Sequence, residues 1–243
     1  MPFDQVPPEY LTPYADKETT DLLNRPNMTA DTSHPTFESV RNYFAAITGI
    51  DEQFGRLLAV LEEEGLVDDT IMVFTSDHGE MMGSHGLMEK SVWYDESLLV
   101  PFIIRWPNKI SPGTDDLLFG APDIMPTLLG LMGLSDAIPA AVEGSDYTDA
   151  FFGRPSDRPN SAFYFFKAPQ FPDLPDSRGL RTDRYTFVVI RHPQGDELIL
   201  HDNLNDPFQL KDIAAGEPDM VRTLTQELNA WLRKTNDPWQ PVR

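Results

Sequence analysis

The stretch "TIMVFTSDHGEMMGSHGLMEKSVWYDESLLVPFIIRWP", residues 70–107, decides how the fold is read. It opens on a short β-branched and apolar run, TIMVFTS (70–76), and closes on a second, VPFIIRW (100–106). Runs of this length and composition read as buried strands. The loop between them is about twenty residues long, and loops of that length inside a compact domain are usually functional. Asp77 and His78 leave the first strand at its C-terminal end, His85 follows, and Lys90 closes the group. Gly79 is expected to let the chain turn sharply there.

Upstream of this stretch, Val40, Phe44, Ile47, Ile50, Phe54, Leu57, Leu58 and Leu61 recur every three or four residues. That spacing predicts a long amphipathic helix ending near Gly65. Downstream, APDIMPTLLGLMG (121–133) predicts a helix opened by Pro122 and Asp123 and stopped at Gly133. Helix, strand, loop, strand, helix is an α/β order, and a parallel-type sheet is the expectation. Residues 1–35, rich in proline and polar groups, read as an irregular segment lying on something else. Beyond about residue 140 the character changes. SAFYFF (161–166), GLRTDRYTFVVIR (179–191) and DELILHD (196–202) read as strands joined by turns, and DMVRTLTQELNAWLRK (219–234) as an amphipathic helix. The expected organisation is an α/β region over 1–140 and a small antiparallel α+β subdomain over 141–243.

Composition removes several function classes. The net charge is −20, with 39 acidic against 19 basic residues, so nucleic acid and anionic membranes are poor partners. No apolar run approaches the roughly 18–20 residues a membrane span needs. Cysteine is absent, which excludes disulfides, cysteine zinc sites and thiol nucleophiles together. The N-terminus carries no basic and apolar leader pattern, and the compartment stays open.

A carboxylate beside an imidazole at a strand end suits a divalent cation, while a bare Asp-His-Gly is more often a capped turn with a surface histidine. With His85, Lys90 and the following YDES (94–97), the group is more polar than a structural loop needs. General acid for His85 and anion clamp for Lys90 are the roles these residue types offer. His34, His192 and His201 read as structural, the aromatic run Phe163–Phe166 as a packed strand, and Arg181 and Arg184 as part of a surface hairpin.

GIDEQFGRLLAVLEEEGLVDDTIMVFTSDHGEMMGSHGLMEKSVWYDESLLVPFIIRWP (49–107) resembles the type I sulfatases of the alkaline-phosphatase-like superfamily. APDIMPTLLGLMG and GLRTDRYTFV with LHDNLNDPFQLKDIA resemble downstream segments of the same family, in the same order. The resemblance runs from about residue 1 to 235 and implies a partial alkaline-phosphatase-like sandwich followed by the C-terminal α+β subdomain. It implies that Asp77 and His78 are ligands of one divalent cation, calcium usually and magnesium in some members. It further implies that Lys90 contacts the sulfate and that His85 faces the substrate, a sulfated saccharide or aryl sulfate.

The chain also departs from the family. The nucleophile there is a formylglycine made from a Cys/Ser-x-Pro-x-Arg motif. Here the single Ser-x-Pro, SHPTF (33–37), has Phe37 where arginine belongs. The family's N-terminal aspartate pair, which completes the metal site, has no counterpart. MPFDQVPPEYL resembles a family stretch preceded by an active-site histidine. The expectation is the C-terminal half of a sulfatase, inactive alone, with formylglycine in a missing N-terminal half or a partner subunit. Periplasmic or secreted placement would follow from a leader ahead of that half. Two other readings stand beside it: a phosphodiesterase or phosphonate monoester hydrolase of the same superfamily, and a non-catalytic pseudoenzyme.

Overall fold

The computed structural model describes residues 5–28, 39–167, 175–239 and 241–242. His34 and the SHPTF stretch lie outside the described residues. Packing divides the chain into two units, Met1–Lys90 with Asp95–Asn108, and Ser91–Tyr94 with Lys109–Arg243.

In the first unit, α1 (Pro8–Leu11) and α2 (Thr19–Leu22) are single turns lying against the long helix α3 (Val40–Glu63). α3 ends where the sequence places its stop, with Gly65 at φ +67°, a left-handed conformation glycine adopts without steric cost. Strand β1 (Met72–Thr75) follows and sets Phe74 edge-on to Phe54 of α3, ring centroids 5.4 Å apart. The apolar stripe of α3 is less covered than the periodicity suggests: Ile47, Ile50, Leu57 and Val60 remain about half exposed. With Tyr10 and Phe74, the residues Ile50, Phe54 and Leu57 line an open apolar groove of about 560 Å³.

Strand β2 (Phe102–Arg105) pairs with β1 in antiparallel register, Met72 opposite Arg105 and Thr75 opposite Phe102. The parallel arrangement expected from element order is therefore corrected. A parallel pair needs a crossover, usually a helix of some length. The connection here holds only the single turn α4 (Asp95–Leu98), and the chain doubles back beside β1. Both ends of residues 76–101 consequently leave the same end of one ribbon, and the ladder is the stem of that loop.

The second unit begins with α5 (Ala121–Leu131) and α6 (Thr148–Phe151). Asp123 of α5 accepts hydrogen bonds from Gly120 N (2.9 Å) and Ser145 N (2.8 Å), and Thr127 Oγ1 accepts one from Tyr147 N (3.0 Å). These bonds tie α5 to residues 145–147, so packing assigns 109–140 to the C-terminal unit, whereas composition changes only at about 140. Then β3 (Ala162–Phe166), β4 (Ser177–Arg181), β5 (Tyr185–His192) and β6 (Gly195–Asp202) form an antiparallel sheet in that order. Helix α7 (Pro218–Lys234) covers one face. Alternation along β5 sends Phe187 and Val189 to Leu224, Leu228 and Leu232 of α7. Val188 and Ile190 go to the other face, where Trp93 and Tyr164 pack. The antiparallel α+β subdomain is as the sequence predicts.

Candidate functional site

Residues 76–101 are built from three short pieces held together by backbone hydrogen bonds. The first is the turn at the end of β1. Asp77 Oδ1 accepts the backbone N–H of His78 (3.0 Å), and Ser76 Oγ lies 3.2 Å from it. That commits one carboxylate oxygen to the turn and leaves Oδ2 facing His78 Nε2 at 3.5 Å. The other ring nitrogen of His78 is already used, because Nδ1–H donates to Gly79 O at 2.8 Å. With Nδ1–H engaged, Nε2 is the ring atom turned to Asp77 Oδ2. Such an arrangement asks for a cation or a proton between them, and a backbone carbonyl behind the ring is the usual way a metal-ligating histidine is oriented. A hydrogen bond from its own backbone N–H, with the field of His78 and the His78 and Ser76 donors, holds the Asp77 carboxyl below its ordinary value.

The donor set fits two positions of a divalent cation. Among the described residues no group of three or more His, Asp or Glu side chains is placed to hold a metal ion.

The second piece is the turn cluster 81–91. Met81 and Met82 are buried, and Met82 packs with Val40 of α3 alongside Leu22, Leu23 and Met28. Hydrogen bonds from Gly83 N to Leu87 O and from Met81 N to Glu89 O, both 2.8 Å, close the loop on itself. Four non-glycine residues within it are left-handed: Met82, His85, Glu89 and Ser91, with φ from +43° to +78°. Backbone of this kind is unfavourable for L-residues and collects at functional positions. Lys90 sits exposed between two of the four, and among the described residues no ion pair involves it.

The third piece is α4, and it joins the other two. Gly79 N donates to Ser97 O (2.9 Å) and Glu80 N to Glu96 O (2.8 Å). The approach is so close that a Cβ on Gly79 would lie 1.9 Å from Glu96 O. Gly79 is not in the left-handed region, so its need for glycine comes from this contact and not from the sharp turn expected. The Glu96 side chain then turns to the second piece. Glu96 Oε1 accepts from Asn27 Nδ2 (2.7 Å) and from Arg25 Nη1 (3.1 Å), and the same Asn27 nitrogen lies 3.2 Å from His85 Nε2. Burial alone would raise the Glu96 carboxyl; the bonds from Asn27, its own backbone N–H and Arg25 outweigh that and hold it below the usual glutamate value.

This network yields a stability prediction. A hydrogen bond to a charged acceptor is worth about 1.5–3 kcal/mol against about 0.5–1.5 for a neutral one. Glu96→Gln should therefore cost about 1 kcal/mol at neutral pH. The folded Glu96 value is lowered, so its contribution is present above the unfolded carboxyl pKa of about 4.3 and is lost as pH falls through the folded value. Thermal melts of wild type and variant should differ at pH 7 and converge in acid. A constant difference across that range would rule out Glu96 ionisation as the source.

The structure thus brings Asp77 and His78 together, and places His85 and Lys90 on the strained turn cluster. Asn27, Arg25 and the role of Glu96 are not foreseen from the sequence; Asn27 precedes His85 by 58 residues, and no spacing rule connects them. The other candidates are structural. His201 is buried, with Nδ1–H donating to Lys211 O (3.0 Å), and His192 Nε2 lies 3.2 Å from Glu197. Arg184 forms a two-point pair with Asp202, and Phe163 stacks on Trp231.

The loop thus carries an acid–imidazole pair and an exposed lysine on the stem of the β1–β2 ribbon, and the relatives specify the family. The family model Sulfatase matches residues 2–134, and the model N-sulphoglucosamine sulphohydrolase, C-terminal, matches residues 83–237. The chain belongs to the sulfatase family. An endo-4-O-sulfatase of Bacteroides thetaiotaomicron is 40% identical over 241 residues, covering 93% of this chain and 47% of its own length. A solved structure from work on glycosaminoglycan metabolism in the same organism matches with TM-score 0.89 at 37% identity, covering 98% of this chain and 52% of that one. Another, in complex with its substrate D-glucosamine-2-N,6-O-disulfate, matches with TM-score 0.78 at 27% identity, covering 98% and 50%. The chain spans about half the length of the curated relatives it matches. The alkaline-phosphatase-like fold of these sulfatases is the fold expected from the sequence.

Proposed function

We propose that this chain supplies one side of the active site of a sulfuric-ester hydrolase whose substrate is a sulfated saccharide. The observation that carries the proposal is the Asp77–His78 pair, with one carboxylate oxygen and one imidazole nitrogen committed to backbone and the other two turned toward each other at 3.5 Å. Asp77 and His78 would hold a divalent cation, and the resemblance to the type I sulfatases points to calcium before magnesium. A bound divalent cation supplies charge stabilisation at the ester's oxygens. The relatives acting on sulfated sugars support the saccharide as the substrate class.

The remaining steps belong to residues of this chain and of the longer protein. Hydrolysis breaks the S–O bond, and negative charge grows on the bridging oxygen. Lys90 Nζ, exposed and with no competing ion pair among the described residues, binds a sulfate oxygen and offsets part of that charge. His85 faces the substrate from the same turn cluster and hydrogen-bonds it. In the family pattern the nucleophile is a formylglycine, and since the sequence has no cysteine and no Ser-x-Pro-x-Arg, on this reading it would be supplied by residues other than these 243. The half-exposed apolar stripe of α3 supports the same division, because a groove of about 560 Å³ lined by Tyr10, Ile50, Phe54 and Leu57 is a surface on which further polypeptide would be buried.

Lys90→Gln tests the assignment in a sulfatase that contains this chain. Turnover of a sulfated disaccharide should fall by about 10–100-fold, less than the roughly 10²–10³ seen for a fully enclosed donor, because Lys90 is exposed. An unchanged rate would remove Lys90 from the site. A preference for phosphate over sulfate esters in the same assay would move the reading to the phosphoester hydrolases of the superfamily.

A further inference from the structure

We propose that Asn27 and Glu96 are positioning residues that lock His85 in its neutral Nδ1–H tautomer. This deepens the reading above and rests on it for His85's place at the substrate. On this proposal His85 acts there as a hydrogen-bonding group through Nδ1–H, and the general-acid role is set aside.

The assignment depends on which atoms can donate. An amide's nitrogen and oxygen are told apart only by their partners. The Asn27 atom 2.7 Å from Glu96 Oε1 has to be the nitrogen, because an ionised carboxylate only accepts. Glu96 is kept ionised by the same contacts, with Arg25 Nη1 at 3.1 Å on the same oxygen. Asn27 Nδ2 has two protons; one goes to Glu96 and the other points to His85 Nε2 at 3.2 Å. Nε2 is then an acceptor, and the ring proton sits on Nδ1. For Nε2 to become a donor, the Asn27 amide would have to flip, which would set Asn27 Oδ1 against the Glu96 carboxylate.

Asn27 also grips the backbone of His85, whose N–H donates to Asn27 O at 2.7 Å. The residue so held is one of the left-handed ones, at φ +55°. Its neighbour Ser84 forms a β-bridge with Met28, the residue after Asn27. Asn27 itself is buried at 5% exposure. A residue this enclosed, bonded to His85 through both its side-chain amide and its backbone carbonyl, fixes the orientation of the ring as well as its proton.

Nitrogen-15 spectra of histidine-labelled protein report the tautomer directly, in solution or in a spun sediment, and need no substrate. The five histidines give few signals, and His85→Gln identifies the one that matters. At neutral pH the expected result is an unprotonated, acceptor-type Nε2 and a protonated Nδ1. Asn27→Asp, which replaces the donor with an acceptor, should protonate Nε2. Glu96→Gln, which frees the amide to flip, should give a mixture of tautomers, and it keeps the side-chain volume if Asn27→Asp does not fold. A protonated Nε2 in the wild type would overturn the proposal, as would an Nε2 left unprotonated in both variants. Turnover of a sulfate ester by His85→Gln is the separate test of the substrate-facing reading. Full activity there would end that reading and leave the tautomer result standing.

Discussion

Asp77→Ala is expected to lower sulfate-ester turnover by more than about a hundredfold in a sulfatase that contains this chain, beyond the roughly 10–100-fold that losing an outer-shell partner costs a metal site. The expectation rests on how Asp77 is held. Its Oδ1 is fixed by the His78 N–H at 3.0 Å, and Oδ2 stands 3.5 Å from a His78 nitrogen whose ring is fixed from behind by Gly79 O. Alanine removes both the charge and the acceptor that orders the turn. Asp77→Asn separates the two effects, since it keeps an acceptor for the turn and loses the charge. If Asp77→Asn is as damaging as Asp77→Ala, charge is what matters, as a cation ligand requires. If Asp77→Asn is nearly wild type, Asp77 only shapes the turn and the metal assignment fails. Calcium titration of this chain alone gives an independent check. Calcium takes six to eight oxygen ligands. The pair offers two donors, so binding should be weak, and tight one-to-one binding would contradict the two-ligand picture.

Gly79→Ala is expected to be the most damaging single-methyl change in the first unit. The added Cβ would stand 1.9 Å from Glu96 O and 2.9 Å from Glu96 C. Both are backbone atoms, so no side-chain rotation relieves the clash. Overpacking in a tight core typically costs about 1–3 kcal/mol and occasionally more. Here the strain also pulls apart the hydrogen bonds from Gly79 N to Ser97 O and from Glu80 N to Glu96 O, so about 3 kcal/mol or more is expected. The effect should reach the site, because α4 carries Glu96 and Glu96 holds Asn27. A thermal melt reads the first consequence and the His85 tautomer the second. A variant that melts within a degree or two of wild type would show that α4 moves away freely, and the three-piece description of the loop would fall with it.

Much of this is legible along the chain. The period of α3 and its stop at Gly65 depend on interactions within a few residues, and so does the alternation that splits the faces of β5. Asp77 and His78 are neighbours at a strand end, so their pairing needs only a local turn. The direction of β2 is different. Whether a strand returns beside its predecessor or crosses over depends on where the whole connection packs, and the order of elements is compatible with both. The exposed side of α3 escapes the sequence for a related reason. Periodicity identifies an apolar face, and only the neighbours that are present decide whether it is covered.

The sequence by itself determined the longer elements, α3, α5, α7 and the strands, the grouping of the candidate residues between two strands, and the family, because each is written in residues close together or in an ordered set of motifs. The single turns α1 and α2 fall where it reads as irregular. Tertiary structure alone decided that β1 and β2 run antiparallel, that Gly79 is required by the backbone of α4, and that His85 is held by Asn27 and Glu96. Asn27 lies 58 residues before His85 and 69 before Glu96. Hydrogen bonds reach about 3 Å in space and are indifferent to distance along the chain. Contacts of that kind exist only once the chain has folded, so no local pattern in the sequence records them.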